Sequence, residues 1–199
     1  MLEKDLVLEI EIIVLVIIVM FWVLDREVIT LKHGKGIMKI AITNSNRGLG
    51  KELSTRFDNV TEGFSDDCDV FINNRHNSFN QTKLLMEAFE KWRYTDKTIV
   101  NIGSRSKYPN ISKGYLYSAS KAALNHLSNS LRLISDKKCR IIDINPGLLE
   151  SDLPSLSYKE IADIVVWCIE QPKHIEIGEI SVWHNTPYKL ISQMKDKIK

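Results

Sequence analysis

Short apolar runs alternate with amphipathic stretches along this chain, and that alternation constrains its fold more than any other feature. The runs are "MKIAIT" (38–43), "CDVFINN" (68–74), "KTIVNIGS" (97–104), "CRIIDINPG" (139–147) and "GEISVWHN" (178–185). Between them, "LGKELSTRF" (49–57), "NQTKLLMEAFEKW" (80–92), residues 115–134 and "SYKEIADIVVWCIE" (157–170) space their apolar residues as helices do. Leu84, Leu85, Ala88 and Phe89 share one helical face, and Ser157 with Glu160 has the spacing of a capping box. Strands that are apolar on both sides are buried on both sides. The predicted fold is therefore α/β, a doubly wound parallel sheet in three layers, with right-handed crossovers.

Composition sets the outer bounds. The chain has 199 residues, 44% of them hydrophobic and 26% charged, with a net charge of +2, which suits one globular domain. So near-neutral a balance gives no signature of nucleic-acid binding, and the basic "KDKIK" at the C-terminus reads as a solvated tail. Cys68, Cys139 and Cys168 are odd in number, far apart and in apolar contexts, so reduced core residues are expected. The five histidines lack metal-ligand spacing, and no metal site is expected. Residues 6–24 are apolar except for Glu9 and Glu11, a borderline length for a bilayer span. Three readings stand for residues 1–37: a membrane anchor that leaves the domain on the cytoplasmic side, a segment outside a functional cytoplasmic protein that starts at Met38, or, third in order, a soluble extra strand or helix. The functional domain is expected at 38–199.

In such a sheet ligands bind beyond the carboxyl ends of the strands. Those ends are small or polar here: Thr43 to Gly50, Asn73-Asn74, Gly103-Ser104 and Asn145-Pro146-Gly147. The first, "TNSNRGLG", is similar to a glycine-rich dinucleotide loop, in which Gly48 and Gly50 let the backbone approach a pyrophosphate. Further on, Tyr117 and Lys121 are four apart on one helical face. About 0.4 such pairs arise by chance in a chain of this length. The pair gains weight from Ser104, which ends a strand thirteen residues before Tyr117, and from Pro146-Gly147, which ends the next strand.

Taken together, "TNSNRGLG", "FINNRHN", "IVNIGS", "YSASKAAL" and "INPGLLES" resemble the short-chain dehydrogenases/reductases over residues 38–187. The resemblance implies a Rossmann-like sheet and hydride transfer between a nicotinamide cofactor and a small-molecule carbonyl or alcohol. It implies Tyr117 as catalytic acid, Lys121 on the nicotinamide ribose, Ser104 orienting the carbonyl, and Asn77 as the helix Asn of a proton relay. It implies cofactor contacts from Thr43, Asn44, Asn46, Arg47, Gly48, Leu49, Gly50, Asn73, Asn74, Pro146, Gly147 and Ser151, besides Tyr117 and Lys121. Homodimers or homotetramers through 80–92 and 115–134 are implied as well. A phenol titrates near pH 10 in water, so exchanging a proton at neutral pH calls for a nearby cation, which Lys121 supplies.

The sequence also departs from the family. Asn44 stands where glycine is usual, though Asn tolerates positive φ. "NNRH" replaces Asn-Asn-Ala-Gly, which brings Arg75 and His76 to the cleft or to solvent. Only "KELSTRFDNVTEGFSDDCD" separates the glycine loop from "VFINN", where the family fits two more strands. A strand at "NVTEGF" would leave four residues to span about 19 Å, so a sheet lacking one or two family strands is expected. Arg47 resembles the basic residue of NADP-preferring members and can pair with a 2′-phosphate, which favours NADP(H) over NAD(H). These departures also admit an alternative from another class: a non-catalytic member that binds nucleotide weakly or serves as an interaction module.

Overall fold

The computed structural model describes residues 38–109, 114–187 and 194. The apolar segment 6–24, the C-terminal tail and part of the loop after Ser104 lie outside these residues. No helix among the described residues is long and apolar enough to cross a membrane.

Six parallel strands form one sheet: β1 (Ile40–Ile42), β2 (Val60–Glu62), β3 (Val70–Asn73), β4 (Thr98–Ile102), β5 (Arg140–Pro146) and β6 (Glu179–Val182), in the order β2-β1-β3-β4-β5-β6. The helices are α1 (Gly48–Ser54), α2 (Asn80–Trp92), α3 (Tyr115–Arg132) and α4 (Tyr158–Glu170), and a short 3-10 turn covers Arg105–Lys107. The doubly wound, three-layer Rossmann-like fold follows from how the strand side chains divide. Ile40, Ile42, Ile72, Ile142 and Ile144 meet α1 and α4 on one face, through Leu53, Ile161 and Val165. Ala41, Phe71, Ile99 and Ile141 meet α2 and α3 on the other, through Leu85, Phe89, Trp92 and Leu124. Each such side chain taken from water contributes about 1.5–3 kcal/mol, which fixes the layers. The capping box of α4 forms as its spacing predicts, with Ser157 and Glu160 bonding reciprocally. All three cysteines are buried and free.

Two expectations need correction. "NVTEGF" does contain a strand, β2, and the sheet lacks one strand relative to the family pattern, within the one or two expected. The crossing back to β3 is easier than the sequence suggests because the strands are short. Val60 and Val70 both register with Ile40, so the link descends only about 7 Å while crossing about 10 Å of sheet. Residues 63–69 reach roughly 23 Å when extended, well beyond the direct distance. Phe64 anchors the link, its ring 5.0 Å from Phe71 and 5.2 Å from Trp92, covering sheet where no helix lies.

The second correction concerns handedness. α2 and α3 carry the chain in one direction across the sheet over one face, and α4 carries it onward in that direction over the opposite face. These connections cannot share one hand, so uniform right-handedness fails at α4. Burial of Ile161 and Val165 beside α1 and the β5 isoleucines holds α4 there.

Candidate active site

Beside its core leucines, the face that α3 turns to the sheet carries a polar stripe. Lys121, Asn125, Ser128 and Arg132 recur at helical spacing and meet polar groups of β4, β5 and β6. Asn101 Nδ2 donates to Asp143 Oδ1 (3.0 Å) and Ser128 Oγ (3.2 Å), and Arg132 pairs with Asp143 Oδ2 at 3.0 Å. Burial pushes the Asp143 carboxyl up, opposed by Arg132 and by hydrogen bonds from Asn101 and Ser128. Asn125 Nδ2 joins Asp143 (3.2 Å) to Glu179 of β6 (2.9 Å).

Lys121 ends this stripe at the carboxyl edge of the sheet. It is 3% exposed, and its Nζ donates to Gln81 Oε1 (2.7 Å) and to the Ile102 carbonyl (2.8 Å). Neither partner is charged, and burial lowers the ammonium pKa to about 8. Tyr117 lies one helical turn earlier, 36% exposed, its ring centroid 5.6 Å from Lys121 Nζ. The His76 ring meets the Tyr117 ring edge-on at 4.6 Å. Partial burial, followed by the charge of Lys121, lowers the His76 pKa. A partly exposed phenol with an ammonium 5.6 Å from its ring centroid can transfer a proton while the cation stabilises the oxygen charge that develops.

Ser104 follows β4 and is nearly buried. Its Oγ accepts from Ser106 N (3.1 Å), and α3 packs against the 3-10 turn that follows it. Accepting this bond leaves the hydroxyl hydrogen for another acceptor.

On the opposite side of the cleft, Asn44 adopts φ 64° and Gly48 φ 53°, so the asparagine performs the left-handed turn that glycine makes in the family. Gly50 lets α1 approach this loop. A Cβ there would lie 1.8 Å from the Asn44 carbonyl oxygen and 2.8 Å from Asn74 Nδ2. Gly50→Ala is accordingly expected to destabilise the fold by about 3 kcal/mol and to displace the loop, read by chemical denaturation. Thr43 Oγ1 accepts from Asn74 N and Arg75 N, both at 2.8 Å, tying the ends of β1 and β3 together. Glu62, at the end of β2, accepts from Asn44 N (2.7 Å) and Ser45 N (2.8 Å). Desolvation opposes its ionisation, yet Ser45, Asn44 and the charge of Arg75 hold its carboxyl below the usual value. The first turn of α1 has neither a side-chain cap nor an acidic residue. These open backbone N–H groups and the glycine cradle fit a dinucleotide's phosphates.

Several predicted residues thus meet at one edge: Thr43, Asn44, Gly48, Gly50 and Asn74 around the first loop, and Ser104, Tyr117 and Lys121 around the start of α3. Pro146 ends β5, and Gly147, which follows it, donates its N–H to Val182 O at 2.7 Å. Asn46 and Arg47 are exposed on the loop, Arg47 Nε donating to Asn44 Oδ1 (2.8 Å). Leu49 instead buries its side chain in the core. Asn73 points inward, its Nδ2 on Gln81 O (2.8 Å) and Asn101 Oδ1 (3.0 Å). Ser151 sits on an exposed loop, its Oγ accepting from Leu153 N. Asn77 is exposed before α2, and Gln81 is the residue that touches Lys121. Gln81 is 2% exposed on the buried face it shares with Leu85 and Ala88. A polar residue within that apolar stripe was the available signal. Glu62 and His76 also lie at the cleft, and only their place in the fold reveals their contacts.

A family model described as short chain dehydrogenase matches residues 56–161, just over half of the chain. An uncharacterized oxidoreductase of Staphylococcus saprophyticus is 31% identical over 94 residues, which is 42% of this chain and 40% of that relative. The chain therefore spans about two-fifths of the length of that relative. Among solved structures, serine dehydrogenase from Escherichia coli superposes with a TM-score of 0.61 at 17% identity, covering 76% of this chain and 99% of that one. A short chain dehydrogenase from Burkholderia cenocepacia in complex with NADP gives 0.62 at 18% identity, covering 81% and 94%. The folds agree with the architecture above, and the sequence match runs from the end of α1 through the Tyr117–Lys121 helix into α4. This chain belongs to the short-chain dehydrogenase/reductase family.

Proposed function

We propose that the chain is an NAD(P)-dependent oxidoreductase that interconverts a small carbonyl compound and its alcohol, with Ser104, Tyr117 and Lys121 as catalytic residues. The observation that carries this reading is the Lys121 ammonium, buried without a carboxylate among the described residues and 5.6 Å from the ring centroid of a partly exposed phenol. A structural lysine would be cheaper with an acidic partner or as an apolar residue. When bound, the nicotinamide supplies or accepts the hydride. Tyr117 then gives the proton to the substrate oxygen in reduction and takes it back in oxidation. Ser104 donates its free hydroxyl hydrogen to the same oxygen. Lys121 has three N–H donors, of which Gln81 and Ile102 engage two, leaving the third for the cofactor ribose. Gln81 takes the supporting place that Asn77 was expected to hold.

The adenosine rim favours NADP(H) in this proposal. Arg47 and Arg75 stand there against Glu62, whose oxygens are already engaged by the loop. Two cations and one occupied carboxylate suit a 2′-phosphate. Exchanging Arg47 and Arg75 for Ala together is expected to weaken NADPH binding on the order of ten-fold and leave NADH binding unchanged, read by fluorescence titration.

Thermal shift tests the whole reading. NADPH at 100 times its dissociation constant should stabilise the chain by about 2.7 kcal/mol. No shift with millimolar NADPH or NADH would overturn the reading in favour of a non-catalytic family member.

A further inference from the structure

The segment after Ser104 is pinned on both sides. Ser106 N bonds back to Ser104 Oγ, and Lys107, its side chain 4% exposed, pairs with Glu179 of β6. Glu179 also accepts from Asn125 of α3. Between these anchors Arg105 is exposed, and its guanidinium carbon lies 3.8 Å from the centroid of the Trp183 ring. Trp183 is the first residue past β6. It is pressed against Gly147, where an added Cβ would come within 2.9 Å of Trp183 Cβ. The Arg105–Trp183 pair therefore stands where the ends of β4, β5 and β6 meet, one residue from Ser104.

An exposed arginine ordinarily samples many rotamers, at about 2 kcal/mol of side-chain entropy. Here the indole face holds the guanidinium and leaves its N–H edges unspent. No carboxylate among the described residues pairs with Arg105, although exposed carboxylates elsewhere in the chain do find cations. One guanidinium edge offers two parallel donors, which match the two oxygens of one carboxylate.

We propose that Arg105, stacked on Trp183, receives a carboxylate of the substrate, so that the carbonyl and alcohol compounds used at this site are oxo acids and hydroxy acids. The proposal rests on the reading of Ser104 as the residue that faces the reacting oxygen.

The test uses the full chain with NADPH and a set of 2-, 3- and 4-oxo acids of four to six carbons, each beside its methyl ester. Binding is measured by calorimetry and reduction by NADPH consumption. The expected result is that at least one acid binds on the order of ten-fold more tightly than its ester. Arg105→Gln should erase that preference and leave ester binding unchanged. Arg105→Lys, which keeps the charge but loses the fork, and Trp183→Leu should each retain only part of it. Equal binding of every acid and its ester, or a preference that survives Arg105→Gln, would overturn the proposal. The two readings fail separately. Ester reduction without acid preference removes the subsite and keeps the oxidoreductase. Arg105-dependent acid binding with no hydride transfer keeps the subsite and removes the oxidoreductase.

Discussion

Tyr117→Phe is expected to lower turnover about 10²–10⁴-fold, the range supplied by a positioned general acid, with NADPH affinity essentially unchanged. The change deletes one hydroxyl on a residue that is 36% exposed and leaves the ring to meet His76 as before. Lys121 keeps both its bonds, to Gln81 and Ile102, so the cleft stays organised. Single-turnover kinetics with a cofactor titration separates the two effects. Equal losses in turnover and cofactor binding would assign Tyr117 to packing and leave the site without its acid.

Lys121→Met should be nearly as damaging to turnover and should weaken cofactor binding too, because the ammonium serves both the phenol and the ribose in this mechanism. Its stability signature is independent of any assay of activity. Lys121 titrates at about 8 in the folded chain against 10.5 ordinarily. Below pH 8 both states hold the proton, and the fold bears the full cost of burying a charge. Between these values the unfolded chain binds more protons than the folded one, so wild-type stability gains with rising pH. The gain is on the order of 3 kcal/mol across that window, and Lys121→Met lacks it. Burial raises Cys139 and Cys168 to about 11, which acts in the opposite direction above pH 9, but that contribution cancels in the difference between the two proteins. Melts at pH 7 and pH 10 therefore should show the wild type gaining on the variant. Parallel pH curves would mean that the lysine is not buried as a charge.

The parts of this fold that were legible in the sequence are those with a single strong cause. β1, β3, β4 and β5 are continuous apolar runs because helices cover both of their faces, and the Tyr117–Lys121 spacing is a one-turn relationship that any helix enforces. β2 is harder to read because the crossing that follows it looks too long when strands of ordinary length are assumed, and only the fold shows β1 and β2 to be three residues each. Gln81 shows in the sequence only as a polar residue on an apolar stripe, and the fold is needed to see that it meets Lys121. Glu62 and Arg105 were invisible for a related reason. Their meaning depends on which loop or ring they face, and those partners lie 17 and 78 residues away for Ser45 and Trp183. The hand of the α4 connection is likewise set by packing against α1, which no local pattern records.

The central claim is that a nicotinamide dinucleotide lies along the carboxyl ends of β1, β3, β4 and β5 with its reactive ring at Tyr117. A crystal structure of the full chain with NADPH tests it most directly. The account predicts the adenosine end at Arg47 and Arg75, the phosphates over Gly48 and Gly50, and the nicotinamide between Ser104 and Tyr117 with Lys121 bonded to its ribose. A dinucleotide bound elsewhere, or one whose ribose lies beyond reach of Lys121, would contradict it.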